Sequence, residues 1–414
     1  MQEMQEQSAS CKEEKMKYET LLTLFFFIFL IGFLYLKRKK LRIQKILYPV
    51  LYMFLYRTKL GLKEMDGLAK RYPRILGTLA TSGIFMGFIG MCFIAYSLID
   101  NFIKTFFVAS TVPGVALVLP FDVKGAIHVP IMYWILCIFI IAIVHEFSHG
   151  VVAKLHKIPV KSSGFAFLCI LIPIIPAAFV EPDDKKLAKK TLKEQLSVFA
   201  AGPFSNIILA FICLGLLFYA LTPAAGSVIE SNGVTITAIT DGQPAAMAGM
   251  NIDETIISIQ GTDINDISSF IDSLDDVKPG ETISIKTENK KDKKYKETVY
   301  YPKLSTHPDN TSRSYLGVNV IQSTGIKPSV SDKVGNILPK GLLWIVGLFY
   351  WLFLLNLGIG LFNLAPLGPL DGGRMMKVIF EKYFSQKIAK AAFKYVSLTF
   401  LALILIPLLY NFIR

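Results

Sequence analysis

The sequence predicts a polytopic α-helical membrane protein of about six transmembrane helices, with one small polar domain inserted between the fourth and the fifth. Three observations carry that reading. The 414 residues are 53% hydrophobic, more than a soluble chain of this length sustains. The apolar residues gather into stretches of about 17–25, the length that crosses a bilayer as a helix. Residues 226–325 break that pattern with polar, alternating runs.

The apolar segments fall at roughly 20–36, 76–98, 129–150, 196–222, 341–364 and 392–412. The first, Leu21 to Leu36, follows a polar leader and runs into Lys37-Arg38-Lys39-Lys40, with no small-residue cleavage site. It reads as an uncleaved spanning helix rather than a signal peptide. The net charge of +13 raises the question of nucleic acid, but Lys and Arg crowd the ends of apolar segments, which marks cytoplasmic loops instead. Residues 37–75 are strongly basic and so cytoplasmic. Counting crossings puts 151–195 and 365–391, both Lys-rich, on the same side, and 99–128 with the insert outside. The expected organisation is a first helix and basic segment (1–75), a first half of the membrane core (76–225), the external insert (226–325) and a second half of the core (326–414) in a multi-pass cell-membrane protein. Cys11, Cys92, Cys137, Cys169 and Cys213 are scattered, which suggests neither a disulfide framework nor a cysteine metal site.

Two apolar pieces do not suit a span. Ile46 to Tyr56 is short, holds Pro49 and has basic flanks, which predicts an interfacial helix. Phe165 to Val180 follows Gly164 and contains Pro173 and Pro176. It reads as a re-entrant hairpin or extended segment, tolerated at membrane depth only where protein or a water-filled cavity covers it, or else as an amphiphilic surface loop.

The third span ends in His145-Glu146-Phe147-Ser148-His149. On a helix, the i, i+4 spacing stacks both imidazoles on one face, within reach of one metal ion. Glu146 then falls beside the metal, placed to take a proton from water. By itself the pattern is short enough to arise by chance on a soluble helix. Ionisable groups at membrane depth, however, are expensive and mark functional sites. A catalytic zinc site needs a third protein ligand, and Asp371 is the candidate. It lies in Asn363-Leu364-Ala365-Pro366-Leu367-Gly368-Pro369-Leu370-Asp371-Gly372-Gly373, at the cytoplasmic end of the fifth span and so at the depth of the two histidines. His128, His156 and His307 have no such company.

Together, His145-Glu146-Phe147-Ser148-His149-Gly150, Ala201-Gly202-Pro203-Phe204-Ser205-Asn206 and Pro369-Leu370-Asp371-Gly372-Gly373 resemble the site-2 protease family of intramembrane zinc metalloproteases, peptidase family M50. The resemblance covers most of 76–375, in the family's order. It implies zinc held by His145, His149 and Asp371, with Glu146 as general base. It also implies tight helix approach at Gly202, a polar role for Asn206, and a substrate-binding set of Asn363, Asn206, Gly202, Pro203 and Gly372. The insert resembles a PDZ domain through Val234 to Ile239, Gly242-Gln243-Pro244-Ala245-Ala246-Met247-Ala248-Gly249-Met250, Ile256 to Gly261 and Pro279-Gly280, with Asn251-Ile252-Asp253-Glu254 where a Gly-Asp pair is common. Such a domain captures an extended peptide at a sheet edge or restricts access to the site.

The expected activity is hydrolysis of peptide bonds in or near transmembrane segments. The expected partners are single-span membrane proteins and membrane lipid, with no nucleic acid. Competing readings are an inactive membrane receptor or scaffold that binds peptides through the insert, and a transporter, since intramembrane ionisable groups also mark ion paths.

Overall fold

A computed structural model describes residues 21, 24–47, 51–107, 117–120, 126–170, 172–291, 294–308 and 310–413. The chain divides into two compact units, Glu13–Phe218 with Gly347–Arg414, and Tyr219–Val346. Among the described residues, five helices are long and apolar enough to cross a membrane: Pro73–Phe107, Ile131–Leu155, Leu192–Val228, Ile337–Asn363 and Gln386–Tyr410. The first expected span is described only in part. Residues 24–37 are helical (α1), while 20, 22 and 23 lie outside the described residues.

In the first unit, α1 leads through a basic turn at Arg38–Lys40 into strands β1 (Leu41–Leu47) and β2 (Leu51–Thr58). The expected interfacial helix over Ile46 to Tyr56 is therefore not formed, and residues 48–50 of it lie outside the description. The aromatic and aliphatic run Leu51-Tyr52-Met53-Phe54-Leu55-Tyr56 suits a pleated surface, and a distant strand supplies its partner. β2 pairs antiparallel with β5 (Val160–Ile170), from Leu51 opposite Ile170 to Thr58 opposite Ser163. β5 pairs in turn with β6 (Ile172–Pro182), so the sheet runs β1-β2-β5-β6. The segment expected as a re-entrant hairpin or an extended piece is this β5–β6 hairpin. Gly164 is required there, because a Cβ would lie 2.0 Å from the carbonyl oxygen of Tyr56. Pro173 and Pro176 sit on β6, an edge strand, where proline is tolerated.

Helix α2 (Leu62–Arg71) precedes α3 (Pro73–Phe107). α3 runs past the expected end of the second span, into the loop predicted over 99–128, and carries an i, i+4 pair between Asp100 and Lys104. Its inward face is a stripe of small residues, Ala80, Gly83, Gly87 and Gly90. A Cβ on Gly83 would meet Phe204 at 3.1 Å, on Gly87 Met375 at 3.0 Å and on Gly90 Leu364 at 2.5 Å. Small residues let helices approach closely where lipid offers no hydrophobic drive to pack. Opposite them Phe85, Ile89 and Phe93 are exposed, as lipid-facing side chains are.

The short strands β3 (Leu117–Leu119) and β4 (Ala126–His128) pair in parallel before α4 (Ile131–Leu155). The 25 residues of α4 span about 37 Å at 1.5 Å per residue. After the one-turn α5 (Asp184–Leu187), α6 (Leu192–Leu216) opens with a capping box in which Thr191 and Glu194 satisfy each other's backbone amides. A π-helical turn at Leu217–Leu221 and α7 (Thr222–Val228) continue it.

The second unit is a small α/β fold. Strand β7 (Ile229–Ile239), α8 (Pro244–Met247), β8 (Thr255–Ile259), β9 (Thr262–Asp263), α9 (Ile267–Asp275), β10 (Ile285–Lys291), β11 (Lys294–Tyr300), a β12–β13 hairpin (Ser305–His307, Asn310–Tyr315) and β14 (Val318–Ile326) follow one another. The main sheet has the order β11-β10-β8-β7-β14, with β9 on β8. Val234, Ile236, Ile256, Ile259, Ile283 and Ile285 fill its core with Phe270 and Leu274 of α9. The Asn251-to-Glu254 departure has a structural role. Glu254 is buried and accepts hydrogen bonds from Asn251 at 2.9 Å, Tyr300 at 2.9 Å and Thr287 at 2.9 Å. Helix α10 (Pro328–Val334) leads to α11 (Ile337–Asn363). The chain returns to the first unit within α11, at Gly347, and continues there through α12 (Asp371–Tyr383) and α13 (Gln386–Ile413).

Candidate metal centre

His145 and His149 both point from α4 into its contact with α6, and both are buried. Their rings meet edge to face, 4.8 Å between centroids, as the i, i+4 spacing requires. Each ring has a partner on α6. Nδ1 of His149 lies 2.6 Å from the carbonyl oxygen of Val198. A carbonyl only accepts, so Nδ1 carries a proton, and in the neutral ring Nε2 is left with a bare lone pair. Nδ1 of His145 lies 3.1 Å from the side-chain amide of Asn206.

Asp371 arrives from another part of the chain. After α11 ends at Asn363, Pro366 and Pro369 prevent helix continuation and a succession of tight turns links Leu361 to Leu370. Asp371 then opens α12, where a carboxylate is favoured by the helix dipole. Its Oδ2 sits 3.1 Å from Nε2 of His145 and 3.3 Å from Nε2 of His149. The three ligand atoms lie within 4.8 Å of one another. Two imidazole nitrogens and one carboxylate oxygen, with the protonation of at least one ring set from behind, suit zinc.

Gly202 makes the arrangement possible. A Cβ there would lie 2.4 Å from Nε2 of His149 and 2.6 Å from Nε2 of His145, so α6 can pass this close to the two rings only as glycine. Glu146, one position along α4, points toward β6, where the backbone N–H of Val180 donates to its Oε2 at 2.9 Å. A cavity of about 170 Å³ opens beside these groups, bounded by Glu146, Val180, Asn363, Pro369, Asp371 and Arg374 among others.

The sequence-derived candidates thus separate. His145, Glu146, His149, Asp371 and Asn363 all line this cavity. Gly202, Pro203 and Asn206 do not. They are buried in the packing of α6. Gly372 is also away from the cavity, lodged under the turn before α12, where a Cβ would lie 2.0 Å from the carbonyl oxygen of Leu364. The structure adds groups that sequence reading missed: the Val198 carbonyl, the Val180 amide and Arg374. The first two are backbone atoms and carry no sequence signal. Arg374 had one, since it follows Asp371 by three residues and so shares its face of α12.

The model of peptidase family M50 matches residues 133–407, which take in all three motifs. The chain belongs to peptidase family M50. Over 321 residues it is 27% identical to an uncharacterized protein of Methanocaldococcus jannaschii, covering 76% of this chain and 74% of that one. It is 24% identical to the regulator of sigma-W protease RasP of Bacillus subtilis, covering 57% of this chain and 62% of the relative. With the zinc metalloprotease RasP of Shouchella clausii it shares 23% identity over 57% of this chain and 63% of that one. The chain therefore spans less than two thirds of the length of both RasP relatives. Among solved structures, the PDZ domain of the SdrC-like protein of Listeria monocytogenes aligns at 24% identity over 22% of this chain and 88% of that one, with a TM-score of 0.18. With that family match and those relatives, the inactive-receptor reading is not favoured.

Proposed function

We propose that this chain is an intramembrane zinc endopeptidase of the site-2 type, cleaving peptide bonds in or beside transmembrane segments of membrane-anchored substrates. The observation that carries the reading is the convergence of His145, His149 and Asp371 within 4.8 Å, beside a cavity that Glu146 also lines, on a helix apolar enough to cross a membrane. His145, His149 and Asp371 would hold the zinc ion. When bound, zinc supplies Lewis acidity toward water and the scissile carbonyl. Glu146 is the proton carrier. Its Oε2 is held by the Val180 amide, which leaves Oε1 to take a proton from water and return it to the leaving amine.

A spanning substrate hides its peptide bonds within its own helix and has to unwind to be cut. The edge strand β6 suits an extended substrate, because main-chain pairing at a sheet edge recognises backbone and not sequence. By alternation, Ala178 presents its N–H and C=O on the same edge as Val180. Asn363, at the end of α11 and on the cavity wall, is placed to contact that substrate.

The sidedness follows from the Lys and Arg of 37–75, 151–195 and 365–391. With α1 as a sixth span, the metal centre faces the cytoplasm and the α/β unit lies outside. Its strand–turn–helix run over residues 234–250 supports a PDZ-like domain that binds peptides or limits the size of substrate admitted. The substrates are single-span membrane proteins, with membrane lipid around the core.

The test is Glu146→Gln. Purified in detergent, the variant is expected to retain zinc and to lose cleavage of a single-span substrate. Full activity in the variant, or a wild-type chain that neither binds zinc nor cleaves, rejects the reading.

A further inference from the structure

Asn206 stands on α6 one turn beyond Gly202 and has no exposed surface. Its amide lies 3.1 Å from Nδ1 of His145 through Nδ2, while Oδ1 meets no hydrogen-bonding partner. The two ends of a side-chain amide exchange by a half-turn, and the surrounding network decides which end faces where. With nitrogen toward His145, the ring accepts at Nδ1 and carries its proton on Nε2. That atom is 3.1 Å from Oδ2 of Asp371 and 3.2 Å from Nε2 of His149. With oxygen toward His145, Nδ1 keeps the proton and Nε2 presents a bare lone pair. Only the second arrangement lets His145 act as a neutral metal ligand.

We propose that Asn206 is a positioning residue of the metal centre, whose amide oxygen accepts the Nδ1–H of His145 and so selects the tautomer with Nε2 free toward the ion. The inference rests on the zinc reading of the site and deepens it. It gives His145 what Val198 gives His149, an acceptor on the far side of the ring. The two acceptors lie eight residues apart on one helix, so α6 sets both ligands. Helix α11 packs closely on Asn206, because a Cβ on Gly360 would sit 3.2 Å from its Cβ and 3.1 Å from the Pro203 carbonyl oxygen.

Two substitutions of nearly the same shape separate this role from packing. Asp at 206 can only accept, and Leu can do neither. Zinc affinity of the full-length chain in detergent is read by competition with a chromophoric chelator, and thermal unfolding of the metal-stripped proteins shows which variants fold. Asn206→Asp is expected to bind within about threefold of wild type, and Asn206→Leu about 10–100-fold more weakly. Asn206→Ala, a smaller apolar variant, is expected to show the same loss if the Leu variant does not fold. If Asn206 only packs the helices, the order reverses: Leu is tolerated and a buried Asp carboxylate disturbs the site. That reversal overturns the proposal, as does equal loss in Asp and Leu variants, or loss in neither. A wild-type chain that binds no zinc brings down the reading of the site itself, an outcome distinguishable from all of these.

Discussion

The backbone N–H of Val180 donates to Oε2 of Glu146 at 2.9 Å, which ties the edge of a four-stranded sheet to the residue beside His145. A carboxylate on a helix turns freely about its side-chain bonds. This contact fixes one oxygen, and it makes the β5–β6 hairpin part of the cavity wall.

Val180→Pro removes that donor and leaves an apolar side chain of similar size against the cluster around Val152 and Val198. Val180 points its N–H away from β5, so proline at this edge position leaves the ladder in place. A hydrogen bond to a charged group contributes about 1.5–3 kcal/mol, so turnover is expected to fall about 10–100-fold. Zinc content should not change. Phe179→Pro is the contrast, because by alternation its amide faces Gly164 on β5, and losing it should unfold the hairpin. Wild-type turnover in Val180→Pro would show that Glu146 needs no tether.

Gly202→Ala places a methyl group against both imidazoles. The rings cannot retreat, since His149 is held by Val198 and His145 by Asn206. Overpacking of this kind costs about 1–3 kcal/mol, and here it falls on the two rings proposed to hold zinc. Zinc affinity is expected to drop by about 5- to 150-fold, at 1.4 kcal/mol per decade. Gly215→Ala on the same helix, with nothing within 4 Å of the new Cβ, should behave as wild type in the same titration.

The parts of this site that could be read in the sequence are those carried by short-range periodicity or by charge. The spacing of His145 and His149 is a helical repeat, and the Lys-rich loops put Asp371 at the same depth. The α3 stripe of Gly83, Gly87 and Gly90 was equally readable, as a small-residue face. The strands over residues 41–58 were not. Their partner β5 begins about a hundred residues later, and a short apolar run with basic flanks suits an interfacial helix equally well until that partner is known. Asn206 was recognised as polar and important, but its direction is a tertiary fact. The motif residue faces a ligand from behind and not the cavity.

Tyr300 gives the α/β unit a pH dependence of its own. Burial, with its hydrogen bond to Glu254, pushes its phenol up to about 12, against about 10 in an unfolded chain. The folded state holds this proton more tightly than the unfolded one. The stabilisation is therefore complete below pH 10 and lost as pH rises toward 12. Tyr300→Phe lacks the group. The difference in melting temperature between wild type and Tyr300→Phe is expected to shrink between pH 9 and 12, and a constant difference across that range would refute the linkage.

Gly372→Ala tests how Asp371 is delivered. A Cβ on Gly372 would stand 2.0 Å from the carbonyl oxygen of Leu364 and 2.7 Å from that of Ala365. Both are backbone atoms in the turns that end α11, and Leu364 is itself fully buried. No side-chain rotation relieves the clash, so the start of α12 has to move away, carrying Asp371 with it. Helix α12 would still form, because alanine favours a helix more than glycine does. The expected variant is therefore a folded chain whose carboxylate no longer reaches His145 and His149. Zinc affinity should fall as far as in Asp371→Ala, and combining the two substitutions should add little further loss, since both remove the same ligand. Zinc affinity near wild type in Gly372→Ala would show that the turn can yield, and that the glycine is not what seats Asp371.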